Sequence, residues 1–393
     1  MHNIRNITDS IIYVGANDRR ADIFEGTYPI PDGMAYNSYL IKDEKTVLMD
    51  TVDKSVADIF YANVKAALDG RDLNYVVVQH MEPDHSATLE GLLIRYPEAK
   101  VITNAKTVPM IKQFFDFDID SRVEIVKEGD VFSTGSHELT FVMAPMVHWP
   151  EVMLTYDKTQ KVLFSADAFG SFGALNGNIF MDPGEYVLYV DEARRYYANI
   201  VGKYGAQVAA VLTKAAALDI DIIAPLHGYV WKEGKEQILG SYKTWSSFEA
   251  ETDGVAVIYG SIYGGSALAA DIIAGKLSDK GYKTEVIDVT AKHTSYSVSA
   301  AWKYGKIVLV TPTTDGGVFS RMDNTVSALV AHNLQKRKIA IVDNGTWAAT
   351  AGKAIRAAFE KCKDIEIIEA SFSFKSRLKD EDLSKVDELV AAL

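Results

Sequence analysis

The stretch Val76-Val77-Val78-Gln79-His80-Met81-Glu82-Pro83-Asp84-His85 sets four metal-grade side chains directly behind an apolar, β-branched run. His80, Glu82, Asp84 and His85 supply imidazole nitrogen and carboxylate oxygen, the ligand types that suit iron, manganese or zinc. Pro83 cannot join a strand ladder, so the segment reads as a loop able to turn all four toward one centre. A helix is expected behind it. Ser86 is placed to cap, and Leu89, Leu92, Leu93 and Tyr96 recur at i, i+3, i+4 and i+7.

Three more ligands follow strand-like runs: His148 after Leu139–Met143, Asp167 after Val162–Ser165, and His227 after Ile220–Ala224. Strand ends are where open α/β sheets assemble their sites. Taken singly, each histidine reads as an ordinary core or surface residue. Four strand ends each delivering a ligand read as a metal centre.

Forty-eight per cent hydrophobic and 24 per cent charged residues over 393 positions describe an ordinary globular chain of two or three domains. The formal charge of −12 argues against nucleic acid and anionic membrane as partners. One cysteine, Cys362, excludes an intramolecular disulfide and a cysteine-ligated iron–sulfur cluster within the chain. It reads as a passive buried thiol on a helix beside Ala358 and Phe359. The start Met1-His2-Asn3-Ile4-Arg5 carries no apolar export core, and no apolar stretch would span a bilayer. The expected location is the cytoplasm.

The two halves differ in pattern. Residues 1–250 mix strands and helices irregularly, with strands expected at Tyr36–Ile41, Thr46–Asp50, Tyr75–Gln79, Leu139–Met143, Met153–Tyr156 and Lys161–Ala166, and helices at Tyr186–Lys203 and Gln207–Ala216. Mixed sheets flanked by helices fit that pattern. Residues 254–393 alternate regularly, with strands at Val255–Tyr259, Thr284–Val289, Lys306–Thr311, Lys338–Val342 and Ile365–Ile368. This predicts a doubly wound parallel sheet, joined to the first half through Trp245–Asp253.

The second half carries its own loops. Ser261-Ile262-Tyr263-Gly264-Gly265-Ser266 follows its first strand and precedes a helix, so backbone N–H groups and the Ser261 and Ser266 hydroxyls can surround a phosphate. The Gly-Lys-Ser/Thr of a nucleoside-triphosphate loop is missing. Pro312-Thr313-Thr314-Asp315-Gly316 and Asn344-Gly345-Thr346-Trp347 follow the third and fourth strands, and Trp347 is able to stack on a flat ring. Three loops at the carboxyl edge of such a sheet favour FMN over a plain tight turn.

Together these features resemble the flavodiiron proteins, or A-type flavoproteins, over essentially the whole chain. The most specific motif is His-x-Glu-x-Asp-His at His80, Glu82, Asp84 and His85; zinc hydrolases of the same fold usually carry histidine where Glu82 stands. The resemblance implies a metallo-β-lactamase-like αββα sandwich over residues 1–250, followed by a flavodoxin-like sheet over 254–393. It implies one iron on His80, Glu82 and His148, a second on Asp84, His85 and His227, Asp167 bridging, and no catalytic side chain beyond these. His148-Trp149-Pro150-Glu151 and the run Asp167–Gly173 also look like this family. The implied activity is reduction of oxygen to water or nitric oxide to nitrous oxide, using electrons that FMN receives from rubredoxin, another small redox protein or a reduced deazaflavin coenzyme. A head-to-tail homodimer, or a dimer of such dimers, is the implied assembly. With the sequence ending at Leu393, the rubredoxin module that some relatives carry is not expected.

Three carboxylates against two ferrous ions leave about one net positive charge, which a bridging hydroxide would cancel. Two alternatives stay open at this point, a zinc hydrolase and a flavin electron carrier with an inactive metal site. The other histidines read blandly: His2 in a tail, His137 on an exposed strand start, His293 in a solvated loop, His332 at a polar helix end. Trp149, Tyr196 and Tyr197 read as packing.

Overall fold

A computed structural model describes residues 1–393 in two units, Met1–Tyr196 with Ala206–Tyr242, and Tyr197–Gly205 with Lys243–Leu393. In the first, two sheets pack face to face. One runs Arg5–Asn6, Ile11–Tyr13, Tyr39–Lys42, Thr46–Met49, Tyr75–Val77, Lys100–Asn104, Val123–Val126 in spatial order. It is antiparallel up to Thr46–Met49 and parallel beyond. The other runs Val131–Ser133, Glu138–Met143, Met153–Asp157, Val162–Phe164, Ile222–Ala224, with only the last pair parallel.

The core between the sheets takes Tyr39, Ile41, Val47, Met49, Val77 and Ile102 from one and Leu139, Phe141, Met153, Phe164 and Ile222 from the other. Tyr39 and Phe164 meet across it with ring centroids 5.5 Å apart. Parallel neighbours need crossovers, and helices Ala57–Leu68, Leu89–Arg95 and Thr107–Phe114 provide them. These three belong to the first sheet, and Tyr186–Tyr196 and Gly205–Ala215 connect the one parallel pair of the second, so that helices flank both sheets in an αββα sandwich.

In the second unit the spatial order is Lys283–Asp288, Thr252–Tyr259, Tyr304–Thr314, Arg337–Asn344, Ile365–Ile367, all parallel. Numbered along the chain this is 2-1-3-4-5, the flavodoxin order. Val255, Val257, Val308, Val310, Ala340 and Val342 pack on Ile273 and Leu277 of helix Gly265–Asp279 and on Leu389 and Val390 of helix Leu383–Ala392. No helix in the chain is long and apolar enough to cross a membrane.

Several expectations need correction. Tyr36–Ile41 is not one strand: pairing breaks at Asn37-Ser38, where the Asn37 side chain donates to Pro225 O (2.9 Å) and Gly228 O (2.8 Å) instead. Ser86 caps nothing; a single helical turn begins at Pro83, whose missing N–H costs nothing at a first position. The Ser86 hydroxyl donates back to Met81 O and Glu82 O. Helix Tyr186–Tyr196 does not run on to Lys203 but passes into a π turn, Tyr197–Val201, and a 3₁₀ turn, Gly202–Tyr204. His137 is only 2% exposed, because Asp157 draws its Nδ1 to 2.6 Å. His293 caps helix Thr294–Lys303 by accepting from Ser295 N, and Cys362 lies beyond helix Ala351–Phe359, half-buried.

Candidate metal centre and flavin cleft

The seven expected ligands come together at one edge of the sandwich, all buried. His80, Glu82, His148 and Asp167 form one set, and Asp84, His85 and His227 the other, each with donor atoms within 4.8 Å of one another. Asp167 reaches both. Its Oδ2 lies 3.1 Å from His148 Nε2 and 3.5 Å from His80 Nε2, and its Oδ1 lies 2.9 Å from His85 Nε2. Glu82 Oε2 sits 2.9 Å from His148 Nε2, and Asp84 Oδ2 3.1 Å from His227 Nε2. His85 turns inward.

These donors fit metal ions better than they fit each other. Asp84 Oδ1 and Oδ2, His85 Nε2, Asp167 Oδ1 and His227 Nε2 are buried without a hydrogen-bond partner. A buried polar atom left so is costly, about 1–3 kcal/mol each, and a cation facing several lone pairs removes that cost. Carboxylates also raise the histidines: burial alone would lower His85 and His148, but Asp84 and Asp167 hold the first, and Asp167 and Glu82 the second, up at about 9. Burial would raise Asp167, yet the surrounding imidazoles keep it well below the usual carboxylate range. Incoming metal would displace those protons.

The loops bearing the ligands are strained and tied down. Asp50 (φ 52°), Ala166 (φ 48°) and Phe169 (φ 70°) sit in the left-handed region. Such conformations persist where neighbours over-determine them. Phe169 N donates to Tyr242 Oη, and Trp231 Nε1 to Phe169 O. Asp50 accepts from Gln79 N and Nε2, both at 2.7 Å, and so shapes the approach to His80. Gly170 passes against His227, where a Cβ would come within 3.2 Å of the His227 Cβ.

Rings wall the cluster. Phe24, Tyr36 and Tyr196 stand 5.5, 5.8 and 5.6 Å from the His227 ring, and Trp149 stands 5.4 Å from His80. Trp149 and Tyr196 thus pack as expected, but against the ligands themselves. At the tip of hairpin Ile23–Pro29, Glu25 (φ 50°) turns its carboxyl onto Glu82; desolvation, then the hydrogen bond to Glu82 and the Glu82 charge, push it up to about 8. Nothing in the local sequence marks Glu25, Asp50 or Asn37, since their partners lie far along the chain.

In the second unit a cleft of about 840 Å³ opens at the carboxyl edge of the sheet. Ser261–Ser266, Pro312–Gly316, Asn344, Thr346 and Trp347 line it as expected, joined by Leu268, Ala348, Ser376 and Arg377. Gly345 lies beneath the loop, buried, where a Cβ would strike the Ala348 carbonyl. Gly264 (φ 86°) begins helix Gly265–Asp279, so backbone N–H groups face the cleft as an anion cradle. Tyr263 and Trp347 are 99% and 91% exposed, leaving two flat faces for an aromatic ring system. Ser376 and Arg377 were missed because they follow strand Phe372–Phe374, which breaks the simple five-strand alternation.

Comparison with known proteins agrees with this geometry. Residues 34–228 match the family described as ODP family beta lactamase. An uncharacterised protein of Methanocaldococcus jannaschii is 30% identical over 386 residues, covering 98% of this chain and 96% of its own. The anaerobic nitric oxide reductase flavorubredoxin of Vibrio vulnificus is 29% identical over 358 residues, 90% of this chain and 72% of that protein. Among solved structures, the flavodiiron protein of Giardia intestinalis superposes with a TM-score of 0.93 at 23% identity, covering 100% of this chain and 95% of that one. The rubredoxin oxygen:oxidoreductase of Desulfovibrio gigas gives 0.91 at 24%, covering 99% and 97%. A sandwich with two donor sets around one carboxylate, a flavodoxin-order sheet in the second unit and relatives aligned over nearly the whole chain make the chain a member of the flavodiiron protein family.

Proposed function

We propose that the protein is an oxidoreductase that removes a small diatomic gas, reducing oxygen to water or nitric oxide to nitrous oxide and water. One iron is assigned to His80, Glu82 and His148, the other to Asp84, His85 and His227, with Asp167 between them. FMN is assigned to the cleft of the second unit. The observation that carries the assignment is Asp167, whose two oxygens each face a different donor set.

When bound, FMN and the two iron ions supply the redox chemistry, storing between them the four electrons that one oxygen molecule takes up with four protons to give two waters. The chain's own side chains do the rest. With three or four protein donors to each set, bound ions would retain room for a small diatomic molecule. The rings of Phe24, Tyr36, Tyr196 and Trp149 exclude bulk water from that space. Burial keeps the Tyr196 phenol protonated, and Tyr28, raised to about 12 by desolvation and then by Glu25 and Glu82, likewise stays an O–H donor at neutral pH.

Electrons come from outside the chain, from rubredoxin, a similar small redox protein or a reduced deazaflavin coenzyme. The relative named for flavorubredoxin and the neighbour named for rubredoxin support a donor of the first kind. Metal ligands and flavin cleft belong to different units, and a head-to-tail homodimer would bring one chain's flavin to the other's irons. A verified monomer with normal turnover would rule that assembly out. Metal and flavin analysis tests the function itself: iron with flavin is expected, zinc without flavin would make the protein a hydrolase, and flavin alone a carrier. Anaerobic stopped-flow against each gas in turn then assigns the substrate, a rate ratio of roughly 100-fold either way being decisive.

A further inference from the structure

Three imidazoles of the cluster differ in what holds their outer nitrogen. His80 Nδ1 donates to Glu151 Oε1 at 2.8 Å. His227 Nδ1 donates to a neutral backbone carbonyl, Ala35 O, also at 2.8 Å. His85 Nδ1 is buried with no partner at all. The three therefore grade from anion-backed through dipole-backed to unsupported, and only the first belongs to the donor set containing Glu82 and His148.

Glu151 is built to keep its charge on His80. Its side chain is fully buried. Oε1 also accepts from Met81 N at 2.9 Å, which fixes the carboxylate against the turn that bears His80 and Glu82. Oε2 is buried and has no hydrogen-bond partner, so no other group draws the charge away. The Glu151 carbonyl is held in turn by Asn104 Nδ2. A carboxylate that accepts from the far nitrogen of a ligating imidazole fixes its tautomer, presents Nε2 to the ion and makes that nitrogen more basic.

We propose that Glu151 is a positioning residue that makes the two metal positions unequal. It gives the position served by His80 the tighter hold and the stronger preference for a trivalent ion. This rests on the assignment of the two donor sets to two metals made above. The second position, with His85 and His227, binds more weakly and accepts an electron first.

The test uses the full chain, stripped of metal and refilled with Co²⁺ under calorimetry, for wild type, E151Q and E151D. Wild type is expected to bind two ions in distinguishable steps. E151Q should weaken one step by about 10–100-fold and leave the other unchanged, while E151D, with the carboxylate drawn back by one methylene, should fall between. In the iron-loaded protein, anaerobic titration followed by electron paramagnetic resonance should show E151Q raising the potential of the later-reduced iron, so that the two steps move closer. A loss of fold would abolish both steps together rather than draw them closer. Equal weakening of both steps, no weakening, or an unchanged gap between potentials overturns the proposal while leaving the two-metal assignment intact. Wild type binding fewer than two ions overturns both. Should E151Q not fold, E151D carries the same comparison.

Discussion

Asp167 Oδ1 lies 2.9 Å from His85 Nε2, yet neither atom makes a hydrogen bond to any partner. Two buried polar atoms that approach so closely without hydrogen-bond geometry leave their lone pairs unsatisfied. A shared cation would satisfy both. Replacing Asp167 by Asn removes the shared charge from both donor sets, so metal content is expected to fall from two ions per chain to one or none. Plasma emission analysis of the purified variant measures it; two retained ions would mean that Asp167 is not shared.

Asn37 ties the His227 loop to the opposite sheet through Pro225 O and Gly228 O. Asn37→Ala leaves the buried Gly228 carbonyl unpaired, while Pro225 O keeps the Tyr39 hydroxyl, and is expected to cost about 1–3 kcal/mol. Denaturant unfolding of the metal-free protein reads that loss directly. Metal affinity at the His227 position should drop with it, since the loop loses its anchor.

Gly265 and Gly264 separate steric crowding from backbone strain. A Cβ on Gly265 would meet Ser376 O at 2.2 Å, whereas one on Gly264 meets nothing within 4 Å and only suffers φ +86°. Gly265→Ala should therefore push apart the loops that close the cleft and lower flavin retained on purification by roughly tenfold, a loss of about 1.4 kcal/mol. Gly264→Ala should cost about 1 kcal/mol of stability and bind flavin nearly as well. Absorbance of flavin per chain checks both; equal retention in the two variants would remove the steric explanation.

His137 and Asp157 form a buried pair away from the metal centre. Burial lowers the His137 pKa, but the Asp157 hydrogen bond outweighs it and raises the group above its ordinary value. A raised histidine stabilises the fold fully below the unfolded value, near 6.5, and that contribution fades as pH climbs through the folded value. Thermal midpoints of metal-free protein should thus decline from pH 6 to pH 8 more steeply in wild type than in Asp157→Asn. Parallel slopes in the two proteins would show that the pair adds no pH-dependent stability.

Much of the chemistry was legible residue by residue. His80, Glu82, Asp84 and His85 announce themselves because ligand-bearing atoms crowd a short loop behind a β-branched strand. The second unit was legible because its three central strands, Thr252–Tyr259, Tyr304–Thr314 and Arg337–Asn344, are buried along most of their length and carry long apolar runs. Strands Lys100–Asn104 and Val123–Val126 were not legible, since the first has only Val101 and Ile102 as apolar residues and the second lies half-exposed at a sheet edge with a mixed polar pattern.

Which atoms face which was decided elsewhere. The amino acids alone set the ligand types, the order of elements and the loops that bear them, because these depend on neighbours a few positions away. Glu151 behind His80, Asp50 beneath Gln79, and Glu25 over Glu82 join positions 71, 29 and 57 residues apart. Such pairings arise only when two sheets close on each other and water leaves the gap between them. Burial then turns ordinary carboxylates into oriented charges, and scattered side chains into two adjoining donor sets.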